Sequence, residues 1–201
     1  MKAQLIFYVG VKGDFMKVGL FGGTFDPPHL GHYEIGKAVR EKLELDEVWF
    51  IPTYEPPHKD NATASPNDRL RMLERLIAGE EGLYISTIEF NREGRSYTID
   101  TVKALQKRHP EVQFYFIIGG DQIAYLPNWY KIEELKRLVQ FVGVRRKGYS
   151  YDIPEQIQMV EIPDLPYSST SIREGLKNNE PIEGLDEKVE RYIRENHLYE
   201  R

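Results

Sequence analysis

Residues 18–32 read Val18-Gly19-Leu20-Phe21-Gly22-Gly23-Thr24-Phe25-Asp26-Pro27-Pro28-His29-Leu30-Gly31-His32. Val18 to Phe21 is a short apolar run of the kind that forms a buried strand, and it stops at a glycine pair. After the Pro27-Pro28 turn, apolar residues return at helical spacing from about Leu30 to Leu43. The stretch is strand, loop, helix, and the rest of the chain repeats that unit.

Downstream, Glu47 to Ile51 repeats the strand signal and Asn67 to Ile77 the helix. Leu83 to Ile88 is predicted as a strand, Thr98 to Arg108 as a helix, and Val112 to Ile118, ahead of Gly119-Gly120, as the strongest strand. Phe141 to Val144 and Met159 to Ile162 follow as strands. Tyr167 to Arg173 opens a helix, and a last helix runs from about Leu185 to Asn196. Strands alternating with helices at this spacing predict an α/β fold: a Rossmann-like, mainly parallel sheet with right-handed crossovers and helices on both faces, plus a small C-terminal helical part. Ligands of such sheets bind beyond the carboxyl ends of the strands. The longest loop, Thr53 to Pro66, carries Pro56-Pro57-His58-Lys59-Asp60-Asn61 and is expected to close over a ligand.

Composition narrows the function. With 201 residues, 40% of them hydrophobic, the expected organisation is one α/β domain with a sizeable core, or one domain with a small appendage. Lys and Arg total 27 against 32 Asp and Glu, a net charge of -5, so the global basic excess of a nucleic-acid-polymer binder is missing and any bound nucleotide should be small. The absence of cysteine excludes disulfides, thiolate zinc sites and cysteine nucleophiles. No apolar run approaches the roughly 20 residues of a membrane span, and the mean hydropathy is -0.54. Leu5 to Val11 is interrupted by Lys12 and Asp14 and lacks a cleavage pattern, so the expectation is a cytoplasmic protein with no membrane partner. The oligomeric state is left open.

Two segments carry the chemistry. In the first, Gly22-Gly23 lets the backbone approach a ligand closely, and the following helix is expected to point its N-terminal amides and positive dipole end at the same space. His29 and His32 are three apart, so both imidazoles can face one anion, with Gly31 removing a side chain that would crowd it. The letters match neither a phosphate loop with Gly-Lys-Ser/Thr nor a Gly-x-Gly-x-x-Gly fingerprint. In the second, Tyr167-Ser168-Ser169-Thr170-Ser171-Ile172-Arg173 sets hydroxyls at a helix N-cap with a guanidinium one turn in, a second phosphate cradle. A plain Ser/Thr cap with a solvated arginine is the competing reading of that segment taken alone.

Together, His29-x-Gly31-His32 and Ser168-Ser169-Thr170-x-Ile172-Arg173 resemble the nucleotidylyltransferase superfamily. Pro56-Pro57-His58-Lys59, Ser96-Tyr97-Thr98-Ile99-Asp100-Thr101, Gly119-Gly120-Asp121 and Trp129-Tyr130 narrow the resemblance to bacterial nicotinate-nucleotide adenylyltransferases. The resemblance implies adenylyl transfer from ATP to nicotinate mononucleotide, giving deamido-NAD and pyrophosphate. It also implies His29, His32 and Arg173 as catalytic groups, with His32 nearest the phosphorus under attack. Gly22, Gly23, Thr24, Phe25, Gly119, Asp121, Ser168, Ser169 and Thr170 would complete the ATP site. Lys59, Tyr97, Thr98, Trp129 and Tyr130 would form the acceptor site, with the pyridine stacked on Trp129 and its carboxylate on amides near Tyr97 and Thr98. No carboxylate cluster suggests a metal cage, so Mg2+ is expected to arrive with ATP.

The chain departs from the family pattern in two places. Residues 1–15 precede Met16, where the family would begin, so the resemblance implies an N-terminal extension over 1–15 and a single domain over 16–201; and Arg146-Lys147-Gly148-Tyr149 has lysine where proline is commoner, leaving Arg146 as a candidate contact to the acceptor phosphate. Competing readings keep the fold but change the acceptor to pantetheine phosphate, FMN or a sugar or glycerol phosphate, or drop turnover in favour of a nucleotide-binding module. Trp129 and the segment around Tyr97 favour a flat pyridine, and the histidine pair with Arg173 favours turnover.

Overall fold

The computed structural model describes residues 15–55, 62–91, 97–146, 157–163, 165–178 and 180–200, with the side chains of Asp121 and Arg146 outside that description. Six strands form one sheet: β1 (Met16–Gly23), β2 (Glu47–Pro52), β3 (Leu83–Ile85), β4 (Val112–Gly119), β5 (Gln140–Arg146) and β6 (Ile157–Ile162). Their order is β3-β2-β1-β4-β5-β6, and every pairing is parallel. That is the doubly wound arrangement the alternating sequence predicts. Because the order reverses between β1 and β4, the chain leaves these neighbours in opposite directions and a crevice opens at their carboxyl ends.

Side chains alternate along the central strands, which is why the apolar runs are continuous. Val18 and Leu20 of β1 and Phe114, Phe116 and Ile118 of β4 pack with Ile99, Val102 and Leu105 of α3 (Thr98–Arg108) and Leu135 of α5 (Ile132–Leu138). On the other face Phe21, Val48, Phe50 and Ile117 pack with Val39 of α1 (Leu30–Lys42), Met72 and Leu73 of α2 (Pro66–Leu76), Ile172 of α6 (Ser169–Asn178) and Val189 and Ile193 of α7 (Glu187–Glu195). A short helix, α4 (Gly120–Ile123), follows β4 directly. Helices therefore cover both faces, and the C-terminal helices close one of them.

One element differs from its sequence reading. The β-branched run to Ile88 predicts a single strand, but β3 ends at Ile85 and Ile88–Asn91 is a turn of 3-10 helix. The turn buries both Ile88 and Glu89, which an extended strand would leave on alternate faces. The proposed extension lies almost wholly in residues 1–14, outside the described residues. Among the described residues no helix is long and apolar enough to cross a membrane.

Candidate active site

The loop after β1 is built around two reciprocal caps. His29 is the N-cap of α1, and its Nδ1 accepts the Gly31 amide at 3.1 Å. The His29 amide in turn donates to Nδ1 of His32 at 3.2 Å. A ring nitrogen that accepts is unprotonated, so in the neutral imidazole each histidine carries its proton on Nε2 and presents that atom as a donor. The two rings lie 3.8 Å apart, centroid to centroid.

This geometry corrects the expectation that the α1 amides themselves would meet an anion. Leu30 donates to the Gly184 carbonyl at 2.8 Å, Gly31 to His29, and His32 to the His29 carbonyl at 2.8 Å. The side chain that the helix entrance brings to the cleft is the His32 imidazole, set in the positive end of the helix dipole. Gly31 also has a sharper purpose than expected. A β-carbon there would stand 2.8 Å from ring atoms of His29 and would push that imidazole out of its cap.

Phe25 holds His32 from the other side. Its backbone sits at φ 51°, a left-handed conformation that costs a side-chain-bearing residue about 1–2 kcal/mol. The ring is buried against Phe21 and Phe50 and stands edge-on to His32 at 5.0 Å, so packing offsets the strain and fixes the imidazole plane.

The second segment arrives at the same place. Ser168 and Ser171 exchange amide-to-hydroxyl bonds of 3.1 and 3.0 Å, which makes Ser168 an exposed N-cap of α6. Ser169 donates its hydroxyl to the Pro27 carbonyl at 2.9 Å. Arg173 donates through Nη1 to the Asp26 carbonyl at 2.6 Å and through Nη2 to Thr170 Oγ1 at 3.4 Å. The motif from one end of the chain thus grips the loop from the other, and Arg173 is held at the crevice.

These elements line one cleft of about 500 Å3 over the carboxyl ends of β1 and β4. Gly22, Gly23, Thr24, Phe25, His32, Gly119, Ser169, Thr170 and Arg173 stand along it with Tyr97, Thr98, Trp129 and Tyr130. His29 and Ser168 do not line it: His29 is buried as a cap and Ser168 faces solvent. Trp129 is both core and cleft wall, edge-on to Phe116 at 5.8 Å and to Phe141 at 6.3 Å. Tyr97 and Tyr130 face each other at 5.0 Å. Tyr97 also caps α3 with no side-chain acceptor for its first amides. Lys59, and the side chains of Asp121 and Arg146, lie outside the described residues.

Sequence reasoning passed over several residues that shape this cleft. Asp26 is buried, and its carboxylate accepts the Thr63 amide at 2.7 Å, the Ala64 amide at 3.1 Å and the Tyr199 hydroxyl at 2.6 Å. Arg69, fully buried in α2, donates to the carbonyls of Thr24 at 2.6 Å and Tyr54 at 3.2 Å. Burial pulls its proton affinity below the usual range, and the nearby Asp26, Tyr199 and Glu89 pull it back up. Glu89 lines the cleft, buried, and accepts the Thr101 hydroxyl at 2.8 Å. Among the described residues no group of three or more His, Cys, Asp or Glu side chains is placed to hold a metal ion.

Residues 20–175 match the cytidylyltransferase-like family. A protein of Bacillus cytotoxicus named "Probable nicotinate-nucleotide adenylyltransferase" is 50% identical over 186 residues, which are 92% of this chain and 98% of the relative. The protein of that name from Geobacillus thermodenitrificans is 49% identical over 185 residues, 91% of this chain and 86% of the relative. Among solved structures, a Plasmodium falciparum nicotinic acid mononucleotide adenylyltransferase complexed with NaAD superposes with a TM-score of 0.78 at 22% identity, covering 91% of this chain and 97% of that one. At that identity the superposition speaks for the fold.

Proposed function

The chain belongs to the nicotinate-nucleotide adenylyltransferase family, within the cytidylyltransferase-like group, and from that premise we infer that it transfers the adenylyl group of ATP to nicotinate mononucleotide. The products are deamido-NAD and pyrophosphate. The observation that carries the reading is that the histidine loop, the Ser169–Arg173 turn and the aromatic set around Trp129 line one shared cleft of a size suited to small-molecule ligands.

In this reading a phosphate oxygen of the mononucleotide attacks the α-phosphorus of ATP in line and pyrophosphate leaves, with no covalent enzyme intermediate. The attacking oxygen is already anionic, so a general base adds little and catalysis rests on positioning and on stabilising charge. His32 donates from Nε2 to the phosphate under attack, and His29 sets the position of His32 through the cap. Arg173, Thr170 and the Ser169 amide hold the outgoing phosphates. The Ser169 hydroxyl proton is already given to Pro27, so that side chain can offer a phosphate only lone pairs. Gly22, Gly23, Thr24 and Phe25 bring backbone to the nucleotides, and Gly119 with Asp121 faces the ribose. Trp129 and Tyr130 take the pyridine, while amides at the start of α3 take its carboxylate. Lys59 and Arg146 are assigned to the acceptor phosphate. Asp26 already spends its carboxylate on three donors and so does not suit a metal, and Mg2+ enters as the counter-ion of ATP.

Pyrophosphate release from MgATP tests this, with nicotinate mononucleotide, pantetheine phosphate, FMN and glycerol phosphate offered in turn. Turnover is expected with the pyridine nucleotide alone. Release with another acceptor would keep the chemistry and change the substrate, and no release with any would favour a binding module.

A further inference from the structure

Behind the histidine loop lies a buried polar knot that joins three distant segments. Asp26 ties the loop to Thr63 and Ala64, while Arg69 ties Thr24 of the same loop to Tyr54, so Tyr54, Thr63 and Ala64 are all fastened to the histidine loop. The third segment is the C-terminal tail, whose Tyr199 hydroxyl reaches Asp26 across 173 residues of sequence. Tyr199 is 6% exposed, as is Asp26.

The tail is bent to make this contact. His197 and Tyr199 both have left-handed backbones, at φ 52° and 66°. Such conformations are costly for residues with side chains and persist where the surroundings hold them. Helix α7 stops at Glu195, Leu198 folds back to donate to the Ile193 carbonyl at 3.0 Å, and the chain turns so that Tyr199 enters the interior. The carboxylate it meets already has two amide donors. A third donor is therefore not required to make burial of Asp26 tolerable; what it adds is a fixed orientation for the whole residue. The carbonyl of that residue receives Arg173, and the carbonyl of the next receives Ser169.

We infer that Tyr199 is a positioning residue for adenylyl transfer: acting through Asp26, the C-terminal tail sets the loop against which Arg173 and Ser169 are aligned. The tail thereby becomes part of the active-site framework while touching no substrate. Burial, and then the bond to Asp26, push the Tyr199 hydroxyl well above the usual tyrosine range, so it stays a donor at neutral pH. The inference rests on the functional reading above.

The test is Tyr199→Phe, which removes one oxygen and keeps the buried ring. Steady-state rates with MgATP and nicotinate mononucleotide are measured per folded molecule, well below the thermal midpoint of each protein. The expected result is a fall in kcat of about 10-fold or more with KM for the acceptor changed less than about threefold, since misalignment acts on the transition state while the pyridine is held by the aromatic set around Trp129, which Tyr199 does not position. A merely structural hydroxyl would lower the thermal midpoint alone, and a kcat within about twofold of wild type overturns the inference. If the wild-type chain does not use this acceptor, the functional reading fails instead. MgATP affinity then decides: a loss of about fivefold or more in Tyr199→Phe supports the inference, and a change under about twofold overturns it.

Discussion

His32 is fixed through His29: the His29 amide donates to its Nδ1 at 3.2 Å, and the two rings stand 3.8 Å apart. The bond turns Nε2 of His32 into a donor at the cleft, which is what charge on the oxygens of a phosphate under attack needs. His32→Ala should therefore fold, because its loss removes a cap contact worth about 0.5–2 kcal/mol, and should turn over about 100-fold or more slowly, the effect of one preorganised donor. A kcat within about threefold of wild type, roughly 0.7 kcal/mol, would remove His32 from the charge-stabilising role.

Tyr199 gives a prediction in alkaline solution. It holds its proton more tightly in the folded chain than in the unfolded one, where tyrosine titrates near pH 10. Its contribution to stability is complete below that pH. As pH rises further, the unfolded chain loses the proton and the folded chain keeps it, so stability falls. Denaturant titrations between about pH 10 and 11.5 should show wild type losing stability more steeply than Tyr199→Phe, by up to about 1.4 kcal/mol per pH unit. Parallel slopes would mean that the hydroxyl is not buried as described.

The alternation of elements was legible in the sequence because strand and helix periods differ and because glycine and proline mark the breaks between them. The two segments that meet at the cleft were legible because donors are concentrated at helix entrances. Arg69 was not, since within Pro66-Asn67-Asp68-Arg69-Leu70-Arg71 it reads as one more charge on an exposed helix face; only the fold shows its guanidinium turned inward to two carbonyls. Tyr199 was equally silent. A contact spanning 173 residues leaves no local period, and a terminal Leu-Tyr-Glu-Arg looks like a frayed end. Ile88 misled for the opposite reason, because β-branched residues favour strands and here tertiary burial turned the chain into a 3-10 turn.

Deleting residues 1–15 should leave activity nearly unchanged. Strand β1 begins at Met16, lies between β2 and β4, and is anchored at its start by the Lys17 amide on Asp46 at 2.8 Å. The described pairings of β1 with both neighbours are all made from Met16 onward. A large loss of folded, active protein on truncation would show that they cover an apolar surface.

Nicotinate mononucleotide should be preferred to its amide. The Tyr97 side chain caps none of the first α3 amides, and a carboxylate can accept from amides at a helix start with charge assistance. An amide ligand would turn donors toward donors, and one such mismatch costs about 1–3 kcal/mol, or roughly 5- to 150-fold in kcat/KM. Equal efficiency with the two acceptors would contradict this use of α3.

The central claim is attack on the α-phosphorus of ATP, and ATP labelled at that phosphate tests it most directly. With nicotinate mononucleotide present, the label should appear in deamido-NAD, and unlabelled pyrophosphate should accumulate in equal amount. Label recovered in free phosphate or AMP without a dinucleotide, or no consumption of ATP at all, would contradict the account.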